Sequence, residues 1–155
     1  MIERRRRGWA LSLLAVAACS RAAPSQVPRD PNAVLVVALH PSEEEPTGIR
    51  LEVSNPGDSP VSFCRYQTPF EGVVDDIFEV RTPDGAELPF RGPILQAATC
   101  EPEDWYAVQP GRFHTAEVDL AEGYPVQAGQ VYMVRYRGST TSTLPPSDWL
   151  DLTLE

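Results

Sequence analysis

Residues 48–66 read GIRLEVSNPGDSPVSFCRY, and this stretch decides the fold class. Ile49, Leu51 and Val53 alternate with Arg50, Glu52 and Ser54. That period of two belongs to a strand with one face buried and the other in water. Residues 55–60, NPGDSP, are all turn formers. Proline presets φ, glycine tolerates positive φ, and the short polar side chains bond their own backbone. Residues 61–66, VSFCRY, then resume as a second strand. Strand, turn and strand in 19 residues is the pattern of an antiparallel sheet.

Outward from this unit the pattern recurs. Residues 33–40, AVLVVALH, are almost continuously apolar and suit a buried strand. In 76–81, Phe78 and Val80 alternate with Ile77, Glu79 and Arg81. Asp84-Gly85 follows, the hairpin signal of a type I′ turn, so 86–91 is expected to pair back. Further strands are expected at 105–108, 112–120, 130–136 and 149–154, with 92–104 irregular. Sixteen prolines in 155 residues, roughly twice average usage, argue against long helices and central strands. The expected fold is all-β: an immunoglobulin-like antiparallel β-sandwich of about 8–9 strands spanning 33–155. A closed barrel is the architectural rival. The run AGQVYMV at 128–134 resembles the strand start that carries the corner tyrosine of that sandwich, which assigns this role to Tyr132.

The N-terminus carries a different message. Arg4, Arg5, Arg6 and Arg7 precede an apolar run from Trp9 to Ala18 that only Ser12 interrupts. A positive segment followed by about ten apolar residues is a signal peptide, too short to span a bilayer. Val16-Ala17-Ala18 before Cys19 resembles the lipobox of bacterial lipoproteins, so 1–18 is expected to be removed and Cys19 to carry the lipid. Ordinary secretion is the alternative. Residues 19–32 then form the lipidated cysteine and a tether with three prolines. Ser20 after the cysteine, rather than Asp, points to the outer membrane of the cell envelope. The mature part carries nine arginines, no lysine and 21 acidic residues, a formal charge of −12. That balance repels nucleic acid and anionic lipid, so membrane attachment has to be covalent.

Cys64 and Cys100 form an even pair in an exported chain and read as a disulfide, two free thiols being the alternative. A metal site is disfavoured, since there is no CxxC and the histidines are only His40 and His114. His114 shares a strand face with Ala116, Val118 and Leu120, the position of a core histidine rather than a base. His40 precedes Pro41 at a strand end and is expected to be exposed. No nucleophile motif or phosphate loop occurs. Carboxylates remain: Glu71, Asp75 and Asp76 are three acids in six residues. Calcium binding or glycoside hydrolysis are the sharp readings, and a pinned turn with solvated aspartates is the plain one. No catalytic residue and no cofactor is expected. The candidate binding surface is Tyr66, Phe70, Glu71, Trp105 and Tyr106, of which the disulfide would bring Tyr66 and Trp105 together, and packing of the aromatic residues beneath the long loops is the plainer reading.

Two stretches, 54–92 and 104–136, carry a family resemblance. Asn55, Pro60-Val61, Thr68 to Gly72, Phe78-Glu79-Val80, Asp84-Gly85, Phe90-Arg91-Gly92, Pro110-Gly111, Asp119-Leu120 with Tyr124, and Gly129 to Tyr136 follow one another in a familiar order. They resemble the β-sandwich that precedes the catalytic domain of deuterolysin-like (aspzincin) peptidyl-Lys metalloendopeptidases. The HExxH of that catalytic domain has no counterpart among these 155 residues. The resemblance therefore implies a sandwich, an exported location and work beside proteases, and no chemistry. Together these readings predict a non-catalytic, membrane-tethered binding module whose partner is a secreted or envelope protein such as a protease, held as an associate or inhibited. A structural envelope accessory without a dedicated ligand is the second reading.

Overall fold

Ile49, Leu51 and Val53 are fully buried because their strand is central. The computed structural model describes residues 34–95 and 99–154. The expected leader 1–18, Cys19 and the tether 19–32 lie outside them. Strand β2 (Gly48–Ser54) pairs antiparallel with β1 (Val36–Pro41) on one side and with β6 (Phe113–Asp119) on the other. A second sheet has β7 (Val131–Tyr136) between β4 (Phe78–Arg81) and β8 (Leu150–Thr153). A separate ribbon joins β3 (Val61–Cys64) to β5 (Trp105–Val108). The molecule is thus an all-β sandwich of eight strands among the described residues, and its three sheets do not close into a barrel.

The strand order follows the immunoglobulin plan apart from one strand. That plan places its first, second, fifth and fourth strands in one layer, and its third, sixth and seventh in the other. Here β1-β2-β6 and β4-β7-β8 occupy those places without a counterpart of the fourth strand, and β3-β5 forms a separate ribbon. One apolar cluster joins all three sheets, with Val37, Leu51, Val53 and Val118 from the first, Phe78, Val80, Val134 and Leu152 from the second, and Phe63 and Val108 from the ribbon. Each such side chain contributes about 1.5–3 kcal/mol on burial. Tyr132 is 5% exposed, and its phenol oxygen accepts the Gln127 N–H at 3.1 Å. A bond to backbone five residues upstream, at the start of β7, is the tyrosine-corner geometry.

Four expectations are corrected. Residues 86–91 do not form a strand, since a single bridge joins Arg81 to Glu87 before Pro89 interrupts. The turn at Pro83-Asp84-Gly85 is not type I′. Only Gly85 has positive φ there (90°), and the Thr82 N–H bonds to Ala86 O across a three-residue loop. The Gly85 N–H bonds Thr82 O instead, which makes Pro83 the first central residue, and its fixed negative φ suits that turn and not a type I′ one. Residues 33–40 supply an edge strand rather than a buried one, with Val36 46% exposed and Val37 buried. His40 is half-buried, and its Nε2 is shielded without a hydrogen bond among the described residues.

Candidate functional site

The β3-β5 ribbon sets Cys64 opposite Trp105 and Phe63 opposite Tyr106. Beside it, Cys64 and Cys100 form the expected disulfide, with Cα atoms 6.2 Å apart. The Phe63 ring is fully buried and carries Phe70 at 5.2 Å and Tyr106 at 5.6 Å, with Phe70 and Tyr106 themselves 5.3 Å apart. His114 completes the group at 5.8 Å from Tyr106, its Nε2 3.0 Å from the Ala107 carbonyl. Tilted and edge-on rings at these spacings add about 0.5–1.5 kcal/mol per pair beyond burial.

A 3-10 turn at Pro69–Glu71 places Phe70 there. Thr68 caps it by accepting the Phe70 N–H and itself donates to Arg65 O. Glu71 lies 3.8 Å from Arg65 Nε, which meets Asp104 at 3.0 Å, while the Arg65 guanidinium sits 5.4 Å from the Tyr66 ring centroid. Burial pushes the Glu71 carboxyl up, against the pull of Arg65. The five residues singled out from sequence, Tyr66, Phe70, Glu71, Trp105 and Tyr106, therefore gather around one ribbon. All are half-buried, and much of their surface is spent on one another and on Phe63 and Arg65.

The acid triplet is dispersed. Glu71 pairs with Arg65, Asp75 Oδ1 accepts the Leu95 N–H at 2.8 Å, and Asp76 accepts from Tyr124 at 2.9 Å and meets Arg137 at 3.3 Å. Among the described residues no group of three or more His, Cys, Asp or Glu side chains is placed to hold a metal ion.

What the ribbon leaves outside is Pro93-Ile94-Leu95. Ile94 is 80% exposed and Leu95 48%. Their backbone is nevertheless fastened. The Asp75 N–H donates to Pro93 O at 2.9 Å and the Asp75 carboxylate takes the Leu95 N–H, so one residue grips both sides of Ile94. Asp75 adopts a left-handed φ of 59° to do so, a conformation that aspartate tolerates better than most residues. Sequence reasoning passed over this loop as irregular. The available signal was a pair of large apolar residues that no strand period accounts for.

A second arrangement was also missed. Glu79, on the outer face of β4, is 2% exposed. Its Oε1 is held by Arg81 and its Oε2 by Arg135 Nε at 2.8 Å, with Arg137 at 3.7 Å. Arg81 and Arg135 lie 5.5 and 4.7 Å from the Trp149 ring centroid. Burial raises the Glu79 carboxyl, but the hydrogen bonds and charges of Arg135 and Arg81 outweigh it and hold the group below its ordinary value. A strand period alone puts Glu79 in water, and only the register of β4 on β7, which sets Glu79 opposite Arg135, reveals the clamp.

Fold and site define an immunoglobulin-like β-sandwich that presents a pinned apolar loop. No protein-family profile matches the chain, and no curated protein sequence matches it.

Proposed function

We propose that this chain is a lipid-anchored, non-catalytic binding module of a bacterial cell envelope, and that its partner is a protein, foremost a protease. The observation that carries this reading is Ile94, a large apolar side chain four-fifths exposed on a backbone hydrogen-bonded at both flanking residues. Ile94 and Leu95 are adjacent exposed apolar side chains, and contiguous exposed apolar surface is what marks interaction sites. The leader and Cys19 support the location. The formal charge of −12 on the mature part supports a protein partner over a polyanion. The engagement of Glu71, Asp75 and Asp76 in three separate contacts supports a role other than paired-carboxylate catalysis. The sandwich's resemblance to a domain that accompanies proteases supports the kind of partner.

Two measurements test the reading. Mass spectrometry of the native protein is expected to find residues 1–18 removed and Cys19 acylated. A photo-crosslinking residue at position 94, activated in intact cells, is expected to trap one discrete envelope protein. An unmodified Cys19 refutes the anchor. A diffuse spread of adducts favours the structural accessory role instead.

A further inference from the structure

We infer, resting on the lipid anchor of the reading above, that the apolar corner formed by Val34, Val36 and Phe113 sits against the lipid surface and sets which end of the domain faces the membrane. Register builds this corner. Val36 lies opposite Ser54, and Ser54 opposite Phe113, so the three form one row across β1, β2 and β6. Residues directly opposite one another share a face. Here it is the outer face, because Leu35, Val37 and Val53 are buried in the core and neighbours along a strand alternate. Val36 is 46% exposed, Phe113 59%, and Val34, two residues before Val36, 65%. With strands about 4.8 Å apart, these three side chains make one patch around Ser54.

The face changes character along its length. The next row is Ala38, Glu52 and Thr115, and the one after it is His40, Arg50 and Glu117, where Arg50 and Glu117 pair at 4.0 Å. Apolar groups stand at one end and charges at the other. That polarity suits a surface whose apolar part enters the boundary between headgroups and acyl chains while the charged part stays in water. Arg112, exposed beside Phe113, supplies a cation for headgroup phosphates. The path of the chain selects lipid as the occupant. Residues 20–33 separate Cys19 from Val34. Fourteen residues span at most about 50 Å, and they arrive at Val34, inside the patch. Covalent attachment makes the contact intramolecular, so three side chains suffice where they would not hold a free protein. The exposed Trp149 offers no such corner, since Arg81 and Arg135 already lie over its ring.

The test uses the mature lipoprotein in vesicles of phosphatidylcholine and phosphatidylethanolamine. A nitroxide is attached through Ser54→Cys, in the middle of the corner, or through Glu117→Cys, at the charged end. The label goes to that position alone, because Cys64 and Cys100 are bonded to each other and Cys19 carries lipid. Collisions with oxygen, which concentrates in lipid, are compared with collisions with a water-soluble nickel chelate. Oxygen should prevail at position 54 and the chelate at position 117. Replacing Val36 and Phe113 together with serine should shift position 54 to the aqueous pattern, while the protein still floats with the vesicles and melts as the parent does. An aqueous pattern at position 54 in the parent, or a lipid pattern that survives the double replacement, would overturn the inference. Spin–spin broadening at position 54 that persists on dilution with lipid would assign the corner to a second copy and overturn it equally. A protein that fails to float with the vesicles removes the anchor and the membrane contact together. One that floats with position 54 in water leaves the anchor standing, and only the orientation falls.

Discussion

Glu79 and Ile94 lie on opposite sides of the usual rule for their residue types. On the outer face of the β4-β7-β8 sheet a carboxylate is buried, and it is stable there because Arg81 and Arg135 satisfy both its oxygens while Trp149 stacks over them. At the Pro93–Leu95 loop an isoleucine is exposed, on backbone that Asp75 holds from both sides. A buried charge with its counter-ions in place is satisfied internally. An exposed apolar side chain on ordered backbone makes no such internal pairing, and in the proposed reading a partner covers it. The contrast separates a contact that serves the fold from one directed outside it.

Four changes would break or sharpen this contrast. The largest effect is expected from removing the disulfide. Replacing Cys64 and Cys100 with alanine frees a loop with a sequence separation of 36. In the chain-entropy picture this costs about 4 kcal/mol, read as a lower midpoint in urea unfolding.

Glu79→Ala comes next. It leaves Arg81, Arg135 and Arg137 facing one another without their shared carboxylate. Breaking a buried pair costs about 3–5 kcal/mol, and since these guanidiniums are about one-third exposed, the lower end, about 3 kcal/mol, is expected. The pH dependence follows from the same group. Its folded-state pKa is held below the unfolded value, so its stabilisation is present above the unfolded value and is lost as pH falls through the folded one. Glu71 has the opposite shift, so its contribution is present at low pH and lost as pH rises through its raised folded value. Melting temperature against pH should therefore fall less on acidification in Glu79→Gln than in the parent, and more in Glu71→Gln.

Asn55→Ala is a smaller break in the framework. Asn55 is 1% exposed, and its side-chain amide donates to Ser59 O and Val108 O, each at 2.8 Å, while its Oδ1 accepts the Gly57 N–H at 2.9 Å. Losing these three hydrogen bonds, one of them fully buried, is expected to cost about 2 kcal/mol, measured by calorimetry.

Ile94→Asp should have the smallest effect on stability, within about 0.5 kcal/mol. It should nevertheless abolish co-purification of the partner that a crosslinker at position 94 traps in the parent protein. Loss of stability there would mean that the loop belongs to the fold, and the contrast with Glu79 would collapse.

Some of this was legible along the chain and some was not. The alternation of Ile49, Leu51 and Val53 and the turn after them predict β2 and the strand that follows, because the period of two is a property of neighbouring residues. Tyr132 was readable for the same reason, since its partner Gln127 lies five residues away. The hairpin at Asp84-Gly85 misled because Pro83 changes the turn and Pro89 ends the pairing. The nearness of Tyr66 and Trp105 was readable once Cys64 and Cys100 were paired, while Phe70, Glu71 and Tyr106 join them only through the fold. Their half-burial was not, because it depends on Phe63 and His114 arriving from other strands.

By itself, then, the sequence determined the all-β class, the pairing of Cys64 with Cys100 and the strand on which Tyr132 turns its corner. These depend on periodicity, count and short separations. Tertiary structure alone decided that Glu79 is buried, that Asp75 reaches 20 residues along the chain to Leu95, and that Ile94 is left in water. Those outcomes depend on which strand lies beside which. A side chain's environment is set by neighbours that no local pattern names.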